Sequence, residues 1–133
     1  MTTTEPTSTL DFDKLGGLVP AVIQDADTNR VLMVGFMNDE AFRTTRATGV
    51  VTFFSRTKGR LWTKGETSGN TLEVVDILTD CDVDSLVVRV KANGPGVCHE
   101  GFASCFFRLN VDGEWQTNET PTYAPESVYG GAR

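Results

Sequence analysis

The chain is short of histidine, cysteine, long apolar stretches and positive charge, and each shortage excludes something. With one histidine, His99, any imidazole proton transfer has a single candidate. Three cysteines cannot all pair within one chain, and no export signal points to an oxidising compartment, so thiols or metal ligands are expected rather than disulfides. No apolar run approaches the roughly 20 residues of a membrane-spanning helix, and the basic-then-apolar plan of a secretory signal is missing. Twelve Lys and Arg against 18 Asp and Glu leave a net charge of −6, which argues against binding nucleic acid or an anionic membrane over the whole surface. A cytoplasmic protein with neither partner is expected. Its 133 residues supply one core, since a second would need roughly another 100.

What is present reads as mainly β. Short runs rich in β-branched and aromatic residues occur at Leu18–Gln24, Val31–Phe36, Val50–Ser55, Leu72–Leu78, Ser85–Val90 and Ser104–Asn110, which predicts six strands. Asp27-Thr28-Asn29-Arg30 is turn chemistry that makes the first two a hairpin, and Asp112-Gly113 is a second such turn. One helix is predicted after Asn38, which can cap it; Asp39 and Glu40 suit its positive end, Met37 and Phe42 occupy hydrophobic-staple positions, and Gly49 can stop it. Thr44, Thr45 and Thr48 are expected to add little to its core face. Residues 1–10, Thr-rich with one proline, are expected to be a flexible leader, 11–119 the domain, and 120–133 a mostly irregular tail from which Tyr123, Val128 and Tyr129 could dock.

Asp80-Cys81-Asp82-Val83-Asp84 sets a thiol among three carboxylates. Extended backbone would put the aspartates on one face and Cys81 on the other, separating oxygen ligands that suit magnesium from a sulfur that suits zinc. A solvated acidic turn is the alternative. Cys98 and Cys105 complete a C-x16-C-x6-C layout without a C-x-x-C knuckle; three thiols fit an open, catalytic kind of zinc site, or are simply unrelated buried thiols. His99 adjoins Cys98 in a loop bounded by Gly94-Pro95-Gly96 and Gly101, a position that suits a proton carrier.

Four of the twelve basic residues, Arg56, Lys58, Arg60 and Lys64, fall within nine positions that hold no acidic residue. Lys64-Gly65-Glu66-Thr67-Ser68-Gly69-Asn70 follows, where glycines permit tight turns and Thr67 and Ser68 offer donors for a phosphate. The order of a P-loop is absent. A plain basic hairpin loop is the alternative. Trp62 could stack on a base or belong to the core.

These segments together resemble the phosphoribosyl-AMP cyclohydrolase family of histidine biosynthesis. From Gly17 to Arg108 the motifs run in the family's order: Leu18-Val19-Pro20-Ala21, Val31-Leu32-Met33, Met37-Asn38, Ser55-Arg56, Leu61 through Asn70, Asp80 through Asp84, and Gly94-Pro95 through Cys98-His99-Glu100-Gly101 to Ser104-Cys105-Phe106. The resemblance implies a small β pseudo-barrel capped by one main helix, in an intertwined homodimer, that hydrolyses the N1–C6 bond of the adenine ring of phosphoribosyl-AMP. It implies zinc on Cys81, Cys98 and Cys105, with Cys81 from one subunit and the other two from its partner, and magnesium on Asp80, Asp82 and Asp84. His99 is then the candidate acid/base, and Arg56, Trp62, Lys64, Gly65, Glu66, Thr67 and Ser68 the candidate substrate contacts. Some relatives carry a pyrophosphohydrolase domain downstream, which is not expected here.

Two positions depart from the pattern. Many relatives have histidine where this chain has Thr63, and glycine where it has Val83; the first leaves His99 alone as proton carrier, the second bears on the magnesium geometry. Two other classes compete: a zinc-stapled structural or partner-binding module without turnover, and a zinc deaminase, for which the H-x-E and P-C-x-x-C signature is lacking.

Overall fold

The computed structural model describes residues 10–124. The first predicted hairpin forms because Asp25 folds its carboxylate onto the amides of Asp27 and Thr28 (2.8 and 3.0 Å), and Asn29 takes the left-handed backbone it tolerates well, φ +66°. It joins β1 (Val19–Asp25) to β2 (Val31–Met37), antiparallel, with Val22 opposite Val34. On the other side of β1 lies β6 (Leu86–Ala92), parallel, followed by β5 (Leu72–Thr79), giving the order β2-β1-β6-β5. Alternation buries Val19, Ala21 and Ile23 of β1 and Leu86, Val88 and Val90 of β6 on one face.

Helix α1 (Asp39–Thr48) starts and stops where its caps require: Asn38 Oδ1 accepts the Ala41 amide at 2.8 Å, and Gly49 closes the end at φ +80°. Thr45 does more than its sequence suggests. It is fully buried, its hydroxyl donates to the Thr52 carbonyl and accepts the Thr52 amide, both at 3.0 Å, and so ties the helix to β3 (Thr52–Ser55).

The chain reaches β3 by pairing with the β5 edge, Val51 N–H to Leu72 O at 3.0 Å and Val74 N–H to Gly49 O at 2.8 Å. It then packs Phe53 over Gly35 of β2, so the sheet curls around Met37, Val51, Phe53 and Leu72 into the barrel-like, mainly β fold predicted. Strand β4 (Arg60–Thr63) pairs with β3, and β7 (Arg108–Val111) with β8 (Glu114–Thr117) across Asp112 and Gly113, both at positive φ.

Among the described residues there are eight strands rather than six. Strands β4 and β8 are additional, and the predicted run from Ser104 is a strand only from Arg108. Ser104 is irregular because its buried hydroxyl bonds the Val31 carbonyl at 2.8 Å. No helix among the described residues is long and apolar enough to cross a membrane. Val128, Tyr129 and residues 1–9 of the predicted leader lie outside the described residues.

Candidate active site

The loop after β6 owes its shape to bonds at both ends. Buried Asn70 donates to Gly96 O at 3.2 Å, and Cys105 N–H donates to Leu32 O at 2.7 Å. Between them Cys98 N–H bonds Phe102 O and Gly101 N–H bonds Cys98 O, a tight turn with Gly101 at φ +98°. Cys98 is buried on the stacked rings of Phe102 and Phe107, while His99 and Glu100 stand exposed at the tip.

This turn brings the Cys98 and Cys105 thiols close enough to act on one another. Desolvation by the surrounding chain and the Cys98 thiol push the Cys105 thiol up to about 11, against the pull of the Lys64 ammonium. The Glu100 amide donates to Cys98 Sγ at 3.4 Å, a donor that suits a thiolate. Two adjacent sulfurs and an amide donor fit a soft ion such as zinc. Cys81 does not join them: among the described residues the one group of three or more potential ligands within 4.8 Å of one another is Asp80, Asp82 and Asp84.

Beside His99 opens a cleft of about 390 Å³, within the range of small-molecule sites, roughly 300–1,000 Å³. Trp62, Lys64, Gly65, Glu66, Thr67 and Ser68 line it, as does His99. Lys64 is buried, with its ammonium 5.9 Å from the Trp62 ring centre. Gly65, at φ +90°, leaves no room for a side chain, since a Cβ would stand 2.6 Å from the Asn70 backbone. Glu66 accepts the Thr63 amide at 3.0 Å and pairs with Arg60 at 3.1 Å; the amide first, then the guanidinium, lower its pKa.

Ser55, Lys58, Arg60 and Thr63 also line the cleft and were not among the sequence candidates, although Lys58 and Arg60 belong to the basic run that signalled an anion site. Thr63 bonds its hydroxyl to that of Thr52 at 3.0 Å and offers no proton carrier. Arg56 does not line this cleft; its guanidinium lies 4.1 Å from the Phe36 ring centre.

The aspartates converge through a turn, not through strand alternation. Asp80 accepts the Asp84 and Ser85 amides (3.0 and 3.3 Å) and the Ser85 hydroxyl (2.8 Å), and the Ser85 hydroxyl leads in holding its pKa well below the carboxylate range. Asp80 in turn raises Asp84, against the opposing influence of Lys14. The Lys14 ammonium sits 3.0 Å from Asp82 and 3.1 Å from Asp84 and has its pKa raised by both. Three carboxylates this close fit a hard cation such as magnesium. Cys81 is exposed on the same turn.

A family model described as phosphoribosyl-AMP cyclohydrolase matches residues 33–107. The chain is 59% identical over 122 residues to the phosphoribosyl-AMP cyclohydrolase of Solibacter usitatus, spanning 92% of this chain and 97% of that one. It is 51% identical over 121 residues to that of Geobacter sulfurreducens (91% and 97%), and 52% identical over 120 to that of Geotalea uraniireducens (90% and 96%). The chain belongs to the phosphoribosyl-AMP cyclohydrolase family. The stretch matched by the phosphoribosyl-AMP cyclohydrolase model contains the cleft loop, the acidic turn and all three cysteines. The β7–β8 hairpin and the segment after it lie beyond that stretch.

Proposed function

We propose that this protein hydrolyses the N1–C6 bond in the adenine ring of phosphoribosyl-AMP, a step of histidine biosynthesis in the cytoplasm, as a homodimer using zinc and magnesium. The observation that carries the reading is a cationic cleft lined by His99, the neighbour of Cys98 in the chain, and by Lys64, which acts on the Cys105 thiol. A zinc-stapled module without turnover would need no such cleft.

Ring opening adds water oxygen at C6, breaks the bond to N1 and delivers a proton to N1. Cys98 and Cys105, with Cys81 from a second copy, would hold zinc, which when bound supplies the Lewis acidity that makes water reactive near neutral pH. His99 takes the proton from the attacking water and returns it to N1, work suited to imidazole. Lys58, Arg60 and Lys64 bind the two phosphates, with Glu66 holding Arg60 in direction. Trp62, braced by Phe53 at 5.3 Å between ring centres, offers the adenine ring a face. Asp80, Asp82 and Asp84 would hold magnesium to offset phosphate charge. Because Cys81 lies between Asp80 and Asp82, a copy that lends its sulfur brings its acidic turn to the same cleft.

The test is ultraviolet absorbance of phosphoribosyl-AMP with the purified protein, zinc and magnesium, with and without chelator, since ring opening changes the chromophore. His99→Asn should slow turnover by roughly 100-fold or more with zinc retained, and Cys98→Ser should lose zinc and turnover together. Full turnover by zinc-depleted Cys98→Ser protein would overturn the mechanism.

A further inference from the structure

The turn that carries Cys98 and His99 is closed from within by two backbone bonds, Cys98 N–H to Phe102 O and Gly101 N–H to Cys98 O. Gly94 and Gly101 are at φ +115° and +98°, conformations that leave the loop much freedom to lose on ordering. His99 and Glu100 are exposed. A reactive side chain must nevertheless be held within about half an ångström of its working position. A further restraint comes from a distant part of the chain, beyond the stretch matched by the family model.

After β8 the chain runs back over the loop. Asn118 N–H bonds Phe107 O at 2.9 Å and Glu119 pairs with Arg30, which fixes the direction of the segment. Thr122 and Tyr123 then cross the turn: the Thr122 amide donates to Gly101 O at 2.7 Å, the Tyr123 amide donates to the same carbonyl at 3.3 Å, and the Thr122 hydroxyl donates to Pro95 O at 2.7 Å. The Tyr123 hydroxyl donates to the carbonyl of Cys98 itself at 2.5 Å. The fit is close, because a Cβ added to Gly96 would stand 2.9 Å from Thr122 Oγ1 and 2.6 Å from Phe102 O.

We infer that residues 118–123 form a strap that positions the Cys98–Gly101 turn, with Tyr123 and Thr122 as positioning residues for His99 and Cys98. The strap grips main-chain carbonyls on both flanks of His99 and leaves the imidazole free to face the cleft. Its catalytic consequence rests on the reading of His99 and Cys98 given above; the ordering of the turn does not.

Full-length Tyr123→Phe and Thr122→Val proteins separate the two. Hydrogen–deuterium exchange of peptides spanning 97–103 should quicken by about fivefold in each, the loss of one hydrogen bond. Turnover should fall several-fold, with the Michaelis constant moved less than twofold and the melting temperature within a few degrees of wild type. Wild-type exchange across 97–103 in both variants would overturn the strap. Quickened exchange with unchanged turnover would overturn the positioning role. A His99→Asn protein at the wild-type rate would remove the acid/base reading instead, and the exchange measurement would still decide the strap.

Discussion

Val83 holds a left-handed backbone, φ +54°, in the middle of the acidic turn, a conformation costing an L-residue about 1–2 kcal/mol and hardest for a β-branched one. Its side chain packs partly on the core, and its carbonyl accepts the Asp11 amide at 2.7 Å, which keeps it there. Val83→Gly relieves the backbone and loses the packing, whereas Val83→Ala loses the packing and keeps most of the strain. The glycine variant should therefore be more stable than the alanine variant by about 1 kcal/mol in urea unfolding, the reverse of the usual order; an alanine variant of equal or greater stability would show that the turn is unstrained. Lys14 makes a second residue-scale case. Its ammonium lies where a divalent ion would draw on Asp82 and Asp84. Lys14→Met should tighten magnesium binding about fivefold by calorimetric titration, the size of an exposed ion pair, and unchanged affinity would mean that Lys14 does not compete. The sequence told the chemical type of these groups, three oxygens and a thiol, but not their geometry. Extended alternation and an acidic turn were both open readings, and the turn holds because the Asp80 carboxylate captures the Asp84 and Ser85 amides and bends the chain.

Elements were legible where their ends carry their own chemistry. Asn38 and Gly49 delimit α1, and Asp25 through Asn29 set the first hairpin, because each signal is local. Strands β4 and β8 were not legible: Arg60–Thr63 is four residues inside a basic run, and Glu114–Thr117 is exposed throughout, so pairing with β3 and β7 decides them. The role of Thr45 escaped for a related reason, since a buried threonine in a helix has value only if a strand presents amide and carbonyl to its hydroxyl, as Thr52 does. The packing of β3 against β2 depends on a further non-local fact, the absence of a side chain at Gly35. A Cβ there would stand 2.5 Å from the Phe53 ring, which is itself fully buried and has nowhere to move. Gly35→Ala should destabilise the protein by about 1–3 kcal/mol, seen as a lower denaturation midpoint, whereas Phe53→Leu, which removes the ring, should lessen that cost when the two are combined. An undiminished cost in the double variant would place the strain elsewhere.

At the scale of the molecule, the three sulfurs do not gather within one chain. It brings Cys98 and Cys105 together and leaves Cys81 exposed on a separate turn. It also leaves apolar surface uncovered: the registers align Val34, Val22, Val87 and Leu78 in a row across all four strands of the main sheet, with Val34 and Leu78 exposed. The spacing of the cysteines could not say whether three sulfurs meet within a chain or between chains, because spacing along one chain says nothing of a second copy. Mixing defective subunits decides it. If zinc is shared across a two-fold dimer, Cys81→Ser and Cys98→Ser homodimers are each inactive, since every site in either lacks one sulfur. A mixed dimer has one intact site, built from Cys81 of the Cys98→Ser chain with Cys98 and Cys105 of the Cys81→Ser chain. Unfolding and refolding the two together at equal concentration makes half the dimers mixed, each with one working site of two, so about a quarter of the wild-type activity and zinc content should return. If each chain held its own ion, no combination of the two would contain a complete site, and the mixture would stay as inactive as its parts.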